Sequence, residues 1–178
     1  MRWSSRATTA EPQALPLGPY RRVFSVPTEP ASVHQARVST QAALAEWEVA
    51  PGSALVDAVL LVVSELFTNA VRHTHHRSPS AQVVITVGAD HLVVGVADRD
   101  PHMPPTTRTD AGEGLRTVVD LAKLYGGGVA VAPVKHGGKI IFVHFRCPKP
   151  LPPTMHRSSC DLGLQLPVYA CAPLPDHA

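Results

Sequence analysis

A carboxylate and an amide lie one helical turn apart inside an otherwise apolar stretch of this sequence. Glu65 and Asn69 are separated by four positions, so a helix would place both on one face. A carboxylate in apolar surroundings needs a charge partner, a proton or a polar cavity. An amide oxygen is a hard ligand that suits Mg²⁺, and a carboxylate can take a proton from a hydroxyl or a water. The pair therefore indicates a site that receives a metal-bound polyphosphate.

Arg72 and His73 follow within the next turn of the same predicted helix. Cations at this position can meet the phosphates of a nucleotide. The alternative is a polar stripe that merely reaches solvent at the helix end, and for these two residues alone we favour that alternative. For Glu65 and Asn69 the cost of burial favours a functional role instead.

Two later segments carry further candidates. Asp98 ends a predicted buried strand, where a carboxylate can accept a hydrogen bond from an exocyclic amino group such as that of adenine. An ordinary turn aspartate is the alternative, and in isolation it is favoured. Gly112 and Gly114 begin a helix, where glycine lets backbone N–H groups approach phosphate oxygens. No Gly-x4-Gly-Lys-Ser/Thr pattern is present, which excludes a P-loop.

The elements that must position these residues follow from hydrophobic periodicity and from the turn signals. Strands are predicted at 21–26, 82–87, 92–97, 129–132 and 139–145, and helices at 31–49, 54–73 and 115–124. The second helix is apolar nearly all round, so we expect it to be buried, with Ser53 as its N-cap. Residues 99–113 form a long loop. This order predicts an α+β two-layer sandwich, with a mixed, mostly antiparallel sheet and helices on one face.

Composition sets the domain organisation. The 178 residues, of which 44% are hydrophobic and 17% charged, suit one domain and exclude a wholly disordered chain. The net charge of +2 excludes a strongly basic protein whose main partner is nucleic acid. Prolines concentrate toward both ends. We therefore predict a flexible N-terminal segment (1–19), a packed domain (20–146) and a disordered proline-rich tail (147–178).

The sequence shows no targeting signal and no disulfide pattern among its cysteines, and we therefore predict a cytoplasmic protein. No uninterrupted apolar run approaches the roughly 18–20 residues that cross a bilayer, and the N-terminus lacks the hydrophobic stretch of a secretory signal. Cys147, Cys160 and Cys171 are odd in number and lack metal-type spacing. We expect all three to be reduced.

Taken together and in this order, the three segments resemble the nucleotide-binding family that histidine kinases share with the Hsp90 chaperone, gyrase B and MutL. The similarity is greatest to its small single-domain branch, the anti-sigma-factor serine/threonine kinases and their actinobacterial relatives. The segments that carry it are the N box (61–73), the adenine-recognition strand (96–101), the lid glycines (112–115), the closing helix (121–126) and the last strand (138–140). The resemblance covers residues 20–146, so this domain would be the ATP-binding domain and the loop 99–113 its lid.

The resemblance implies ATP and Mg²⁺ as cofactors. Asn69 would hold the Mg²⁺, Glu65 would be the general base toward an incoming serine hydroxyl, and Asp98 would bind the adenine amino group. The other nucleotide contacts that it implies are Arg72, His73, Met103, Gly112, Gly114 and Leu115. Three departures from the family pattern are Asp100, where many members have glycine, Ile140, where many have a threonine that supports the adenine contact, and a short lid that carries Pro101, Pro104 and Pro105.

The function that this resemblance implies is an anti-sigma factor that phosphorylates an antagonist protein on serine or threonine. Its partners would be a sigma factor, the antagonist and a second copy of the chain, with neither nucleic acid nor membrane among them. The alternative is a non-catalytic module of the same fold, with or without bound ATP. Glu65 favours the kinase, since a pure binder has less use for a base, whereas Ile140 favours the module.

Overall fold

All eight predicted helices and strands are present, with ends that differ from prediction by at most three positions. The structure, a computed structural model, describes residues 20–74, 76–104, 112–135 and 137–147. The elements are β1 (Tyr20–Pro27), α1 (Ser32–Glu46), α2 (Ala54–Thr74), β2 (Ser80–Val87), β3 (His91–Asp98), α3 (Glu113–Leu124), β4 (Gly128–Pro133) and β5 (Lys139–Arg146). The predicted segment 1–19 and all of the predicted tail (147–178) except Cys147 lie outside the described residues, as do part of the predicted lid (105–111), Cys160 and Cys171.

Helix α1 ends earlier than its apolar pattern suggests, and α2 begins as predicted. Glu48 adopts a positive φ of 55°, a left-handed conformation that a helix cannot continue through. The chain therefore leaves α1 before the predicted helix end at residue 49. Ser53 caps α2, since its Oγ accepts a hydrogen bond from the Val56 N–H at 3.3 Å.

The five strands form one sheet in the order β1-β2-β3-β5-β4, and the α+β two-layer fold is confirmed. Every pairing among the described strands is antiparallel, so the expectation of a partly parallel, mixed sheet is wrong. The reason is that the hairpins β2–β3 and β4–β5 meet along β3 and β5 with opposite chain directions. The β3–β5 pairing places Asp98 directly opposite Lys139.

Helix α2 is the centre of the core, as predicted. Val59, Val62, Val63 and Phe67 are fully buried between the other two helices and the sheet. By length and composition alone, α2 is the one helix of the described residues that could cross a membrane. The core helix of a globular domain has the same composition, and the burial of these side chains accounts for it here.

Side-chain alternation separates the two faces of the sheet. On β5, Ile141, Val143 and Phe145 belong to the core beneath the helices. Lys139 lies on the same face of β5 as these three residues, because alternate residues of a strand share a face. Ile140 instead packs with Phe142 in a second apolar cluster that contains strand residues and no helix residue. The helix-facing side of β5 therefore begins with a lysine.

Cys147, directly after β5, is expected to be a poor nucleophile. Burial raises the pKa of its thiol to about 11, and the Asp90 carboxylate adds to the shift. In a Cys160→Ser/Cys171→Ser variant, iodoacetamide at about pH 8 should modify Cys147 on the order of 100-fold more slowly than glutathione, because so little thiolate is present. Unfolding in guanidinium should restore the ordinary rate. Equal modification rates for glutathione and for Cys147 in the folded protein would contradict the raised pKa of the Cys147 thiol.

Candidate functional site

A cavity of about 460 Å³ opens between the C-terminal half of α2, the ends of β3 and β5, and the start of α3. Its size falls within the range of small-molecule sites in proteins. The predicted site residues that line it are Asn69, Arg72, His73, Asp98, Gly112, Gly114 and Leu115. The structure thus brings together three segments that are far apart in sequence.

Helix α2 supplies one wall and the rim of the cavity. Asn69 is half-buried, and its side-chain amide makes no hydrogen bond to any other residue that the structure describes. Leu66 and Ala70 form the apolar wall beside it, and Arg72 and His73 are exposed at the rim. An amide oxygen with no protein partner, facing a cavity, suits a hard cation.

Glu65 is not among the lining residues, although it shares a helix face with Asn69. Its carboxylate lies against Gly114 at the start of α3, so closely that a Cβ at Gly114 would collide with Glu65 Oε2. Because Gly114 itself lines the cavity, only this one residue separates the Glu65 carboxylate from the cavity. The start of α3 covers the Glu65 side chain, and a helical periodicity in α2 alone does not predict this.

Gly112 lines the cavity as well, but its backbone does not require glycine. Its φ of −63° and ψ of 164° are open to any residue, and a Cβ would meet no described residue within 4 Å. Met103 is the other predicted contact that the structure places outside the lining. Its side chain is 42% exposed, whereas its neighbours His102 and Pro104 line the cavity.

The far end of the cavity holds a buried ion pair that the sequence analysis did not identify. Asp98 and Lys139 are only 6% and 5% exposed. Asp98 Oδ1 accepts hydrogen bonds from Lys139 Nζ at 3.0 Å and from the Asp100 N–H at 2.9 Å. Burial raises the pKa of Asp98, against the opposing effects of Lys139 and the Asp100 N–H. A carboxylate that charge pairing keeps ionised is a hydrogen-bond acceptor only.

Asp100 joins the same network from the loop after β3. Its backbone oxygen accepts a hydrogen bond from Lys139 Nζ at 3.2 Å, and its carboxylate pairs with Arg77 at 3.2 Å. Burial alone would raise the pKa of Asp100, but the His102 N–H, Lys139 and Arg77 together hold it below its usual range. The aspartate that departs from the family glycine is therefore a structural anchor for the start of the loop.

Gly138 explains how β5 comes close enough for this pairing. Its φ of +102° lies in the region that favours glycine, and a Cβ there would lie 2.6 Å from Arg99 Cα. The glycine lets the start of β5 pack directly on the end of β3. Lys139, the next residue, then reaches Asp98.

Ile140 lies outside the cavity, in the apolar cluster on the opposite face of the sheet. Its lack of a hydroxyl therefore removes nothing from the cavity wall. Sequence reasoning missed nine lining residues, namely Leu66, Ala70, Val96, Asp100, His102, Pro104, Glu113, Lys139 and Ile141. The position of Lys139 was predictable, because strand alternation places it on the same face of β5 as the core residues of that strand.

A comparison with protein families identifies the family of this chain. The family model described as a histidine kinase-like ATPase domain matches residues 26–136, which include α2, β3 and the start of α3. No curated protein matches the chain. Among solved structures, a histidine kinase domain from the Erythrobacter litoralis EL346 blue-light activated histidine kinase aligns with 20% identity and a TM-score of 0.43. The alignment covers 65% of this chain and 61% of that domain, so the chain spans less than two thirds of it. Since the family model covers more than half of the chain, this protein belongs to the histidine kinase-like ATPase domain family.

Proposed function

We propose that the cavity binds ATP together with Mg²⁺. The observation that carries this proposal is the placement, in one cavity, of a buried carboxylate at the end of β3 and of an α2 amide to which no described residue is hydrogen-bonded. The residues fit both groups chemically. The Asn69 amide oxygen is a suitable Mg²⁺ ligand, and the Asp98 carboxylate is a suitable acceptor for an exocyclic amino group.

The end of the cavity at Asp98, which would hold the adenine base and is called the base end, combines a polar acceptor with apolar walls. Both hydrogen bonds to the Asp98 carboxylate end on Oδ1, and no described residue donates to Oδ2. Oδ2 is thus available to the adenine amino group. Val96, Ile141 and Leu66 line the cavity beside it and provide apolar surface for the purine ring.

The phosphate end is formed by α2 and α3. Arg72 and His73 line the rim, and Glu113, Gly114 and Leu115 of the first turn of α3 line the same cavity. The first turn of a helix carries backbone N–H groups that no hydrogen bond within the helix satisfies. Cations and helix N-termini both favour negative charge. Mg²⁺ held by Asn69 would neutralise part of the triphosphate charge.

We further propose that the protein is an anti-sigma factor with serine/threonine kinase activity toward an antagonist protein in the cytoplasm. In this reaction the Glu65 carboxylate accepts the proton of the antagonist's hydroxyl. The hydroxyl oxygen forms a bond to the γ-phosphorus, the bond from that phosphorus to the β–γ bridging oxygen breaks, and ADP leaves. The position of Glu65, one residue from the cavity and beside Gly114, supports this role.

Transfer of radiolabel from the γ-phosphate of ATP to a serine or threonine of a co-purified host protein tests the kinase proposal. Wild type should label the antagonist, and the sigma factor should bind in its place when the antagonist is phosphorylated. A protein that binds Mg·ATP but labels none of its isolated partners would contradict the kinase role and leave nucleotide binding intact.

Replacing Gly114 with alanine should impair transfer far more than binding. The new Cβ displaces the Glu65 carboxylate, and a misplacement of about 1 Å can cost on the order of 100-fold in rate. ATP affinity should fall much less than the transfer rate. Gly112→Ala is the matched control, because its Cβ meets no described residue within 4 Å. Equal transfer rates for the two variants, measured under single turnover, would contradict the assigned position of Glu65.

A further inference from the structure

Lys139 is a buried cation in the wall of the cavity, and nothing in the proposed reaction uses it. We propose that Lys139 is a positioning residue that keeps Asp98 in its acceptor form and thereby makes the site select a 6-amino purine over a 6-oxo purine. The inference rests on the proposed nucleotide binding, and it names the residue that sets the base specificity of that site.

The geometry gives Lys139 two tasks. Its Nζ donates to Asp98 Oδ1 at 3.0 Å and to the Asp100 backbone oxygen at 3.2 Å, and it lies 3.8 Å from Asp100 Oδ2. The ammonium therefore fixes the Asp98 side chain and also the turn that follows β3. A buried lysine is rarely kept unless it is paired, and here each contact is with a group at the base end of the site.

The charge of Lys139 matters because two carboxylates lie close together in this wall. Without a cation between them, Asp98 and Asp100 would repel each other in a poorly solvated setting, and one would take up a proton. Asp98 is the candidate for that proton. Its pKa is already raised by burial, whereas Arg77 separately pairs with Asp100.

The protonation state of Asp98 decides which base it recognises. An ionised carboxylate only accepts hydrogen bonds, which suits the amino group of adenine. A protonated carboxyl donates one, which suits the 6-oxo group of hypoxanthine. The ratio of affinities for ATP and inosine triphosphate therefore reports the state of Asp98.

Other charged groups face the same cavity and bear on any pH dependence. Arg72 and His73 come from α2, His102 from the loop after β3, and Glu113 from the start of α3. All four are exposed, while Asp98 and Lys139 are buried. Protonation of these four side chains should therefore change the affinities for ATP and inosine triphosphate by the same factor. The change then cancels in the ratio of the two affinities.

Titration calorimetry with Mg·ATP and Mg·inosine triphosphate, from about pH 5.5 to 8.5, tests the inference on four proteins. Lys139→Gln keeps a hydrogen-bond donor but removes the charge, and Lys139→Arg keeps the charge. Lys135→Gln removes an exposed lysine from the β4–β5 connection and is the matched control. Wild type, Lys139→Arg and Lys135→Gln should share one high ATP preference. In Lys139→Gln that preference should fall by about 10-fold or more at low pH and recover as the pH rises through the raised pKa of Asp98.

A folded Lys139→Gln protein with the wild-type preference at every pH would overturn the inference while leaving ATP binding in place. A wild type that binds neither nucleotide would overturn the proposed function, and the inference with it. If Lys139→Gln does not fold, the carboxyl ¹³C resonance of Asp98 in the wild type decides. A resonance of an ionised carboxylate at about pH 7 supports the inference, and that of a protonated carboxyl overturns it.

Discussion

Asn69→Ala is expected to lower the affinity for Mg·ATP by on the order of 100-fold, since the variant loses the protein's metal ligand. The Asn69 amide faces the cavity and makes no hydrogen bond to a described residue, so its removal breaks no contact of the fold. The loss should appear in titration calorimetry with Mg²⁺ present. In the presence of a chelator, wild type and variant should bind ATP equally weakly.

Thr68→Ala is the matched control for this experiment. Thr68 precedes Asn69 on α2, is half-buried like it, and does not line the cavity. Its replacement should leave Mg·ATP affinity unchanged, whereas Asn69→Asp, which keeps an oxygen ligand, should retain metal-dependent binding. An Asn69→Ala protein with wild-type affinity in Mg²⁺ would refute the metal assignment.

Glu65→Gln should separate binding from chemistry. Glutamine has nearly the same shape as glutamate, so the contact with Gly114 is kept and ATP should bind with wild-type affinity. Phosphoryl transfer should fall by about 10²–10⁴-fold, the usual contribution of a general base. Single-turnover transfer of radiolabel to the antagonist measures the rate, and calorimetry measures the affinity.

Glu113→Gln provides the comparison for the general base. Glu113 also lines the cavity and has a carboxylate side chain, which is exposed at the start of α3. If transfer needs only nearby negative charge, both variants should lose activity to a similar degree. The proposed mechanism predicts that the loss is confined to Glu65→Gln, and a Glu65→Gln protein that transfers phosphate at the wild-type rate would rule out its role as base.

The sequence is a good guide to elements whose pattern is local. The apolar residues of α2 and the β-branched residues of β2 and β3 predict their types and nearly their ends. Polar residues inside such a pattern are conspicuous, and Asn69 was identifiable for that reason. The structure places its side chain in the lining of the cavity.

Contacts between distant segments could not be predicted in the same way. Asp98 and Lys139 are 41 positions apart, and they meet because β5 pairs with β3 after α3 and β4 have intervened. That register is set by packing, and a local pattern does not encode it. The same holds for Glu65, which the first turn of α3 covers, and for Ile140, whose departure from the family pattern faces away from the cavity.

A crystal structure with Mg²⁺ and a nonhydrolysable ATP analogue tests the central claim most directly. We predict that the Asn69 side-chain oxygen coordinates the Mg²⁺ and that the adenine amino group donates to Asp98, with Lys139 still paired to that carboxylate. An analogue bound elsewhere, or a cavity that remains closed by side chains while Asn69 points into solvent, would contradict the account.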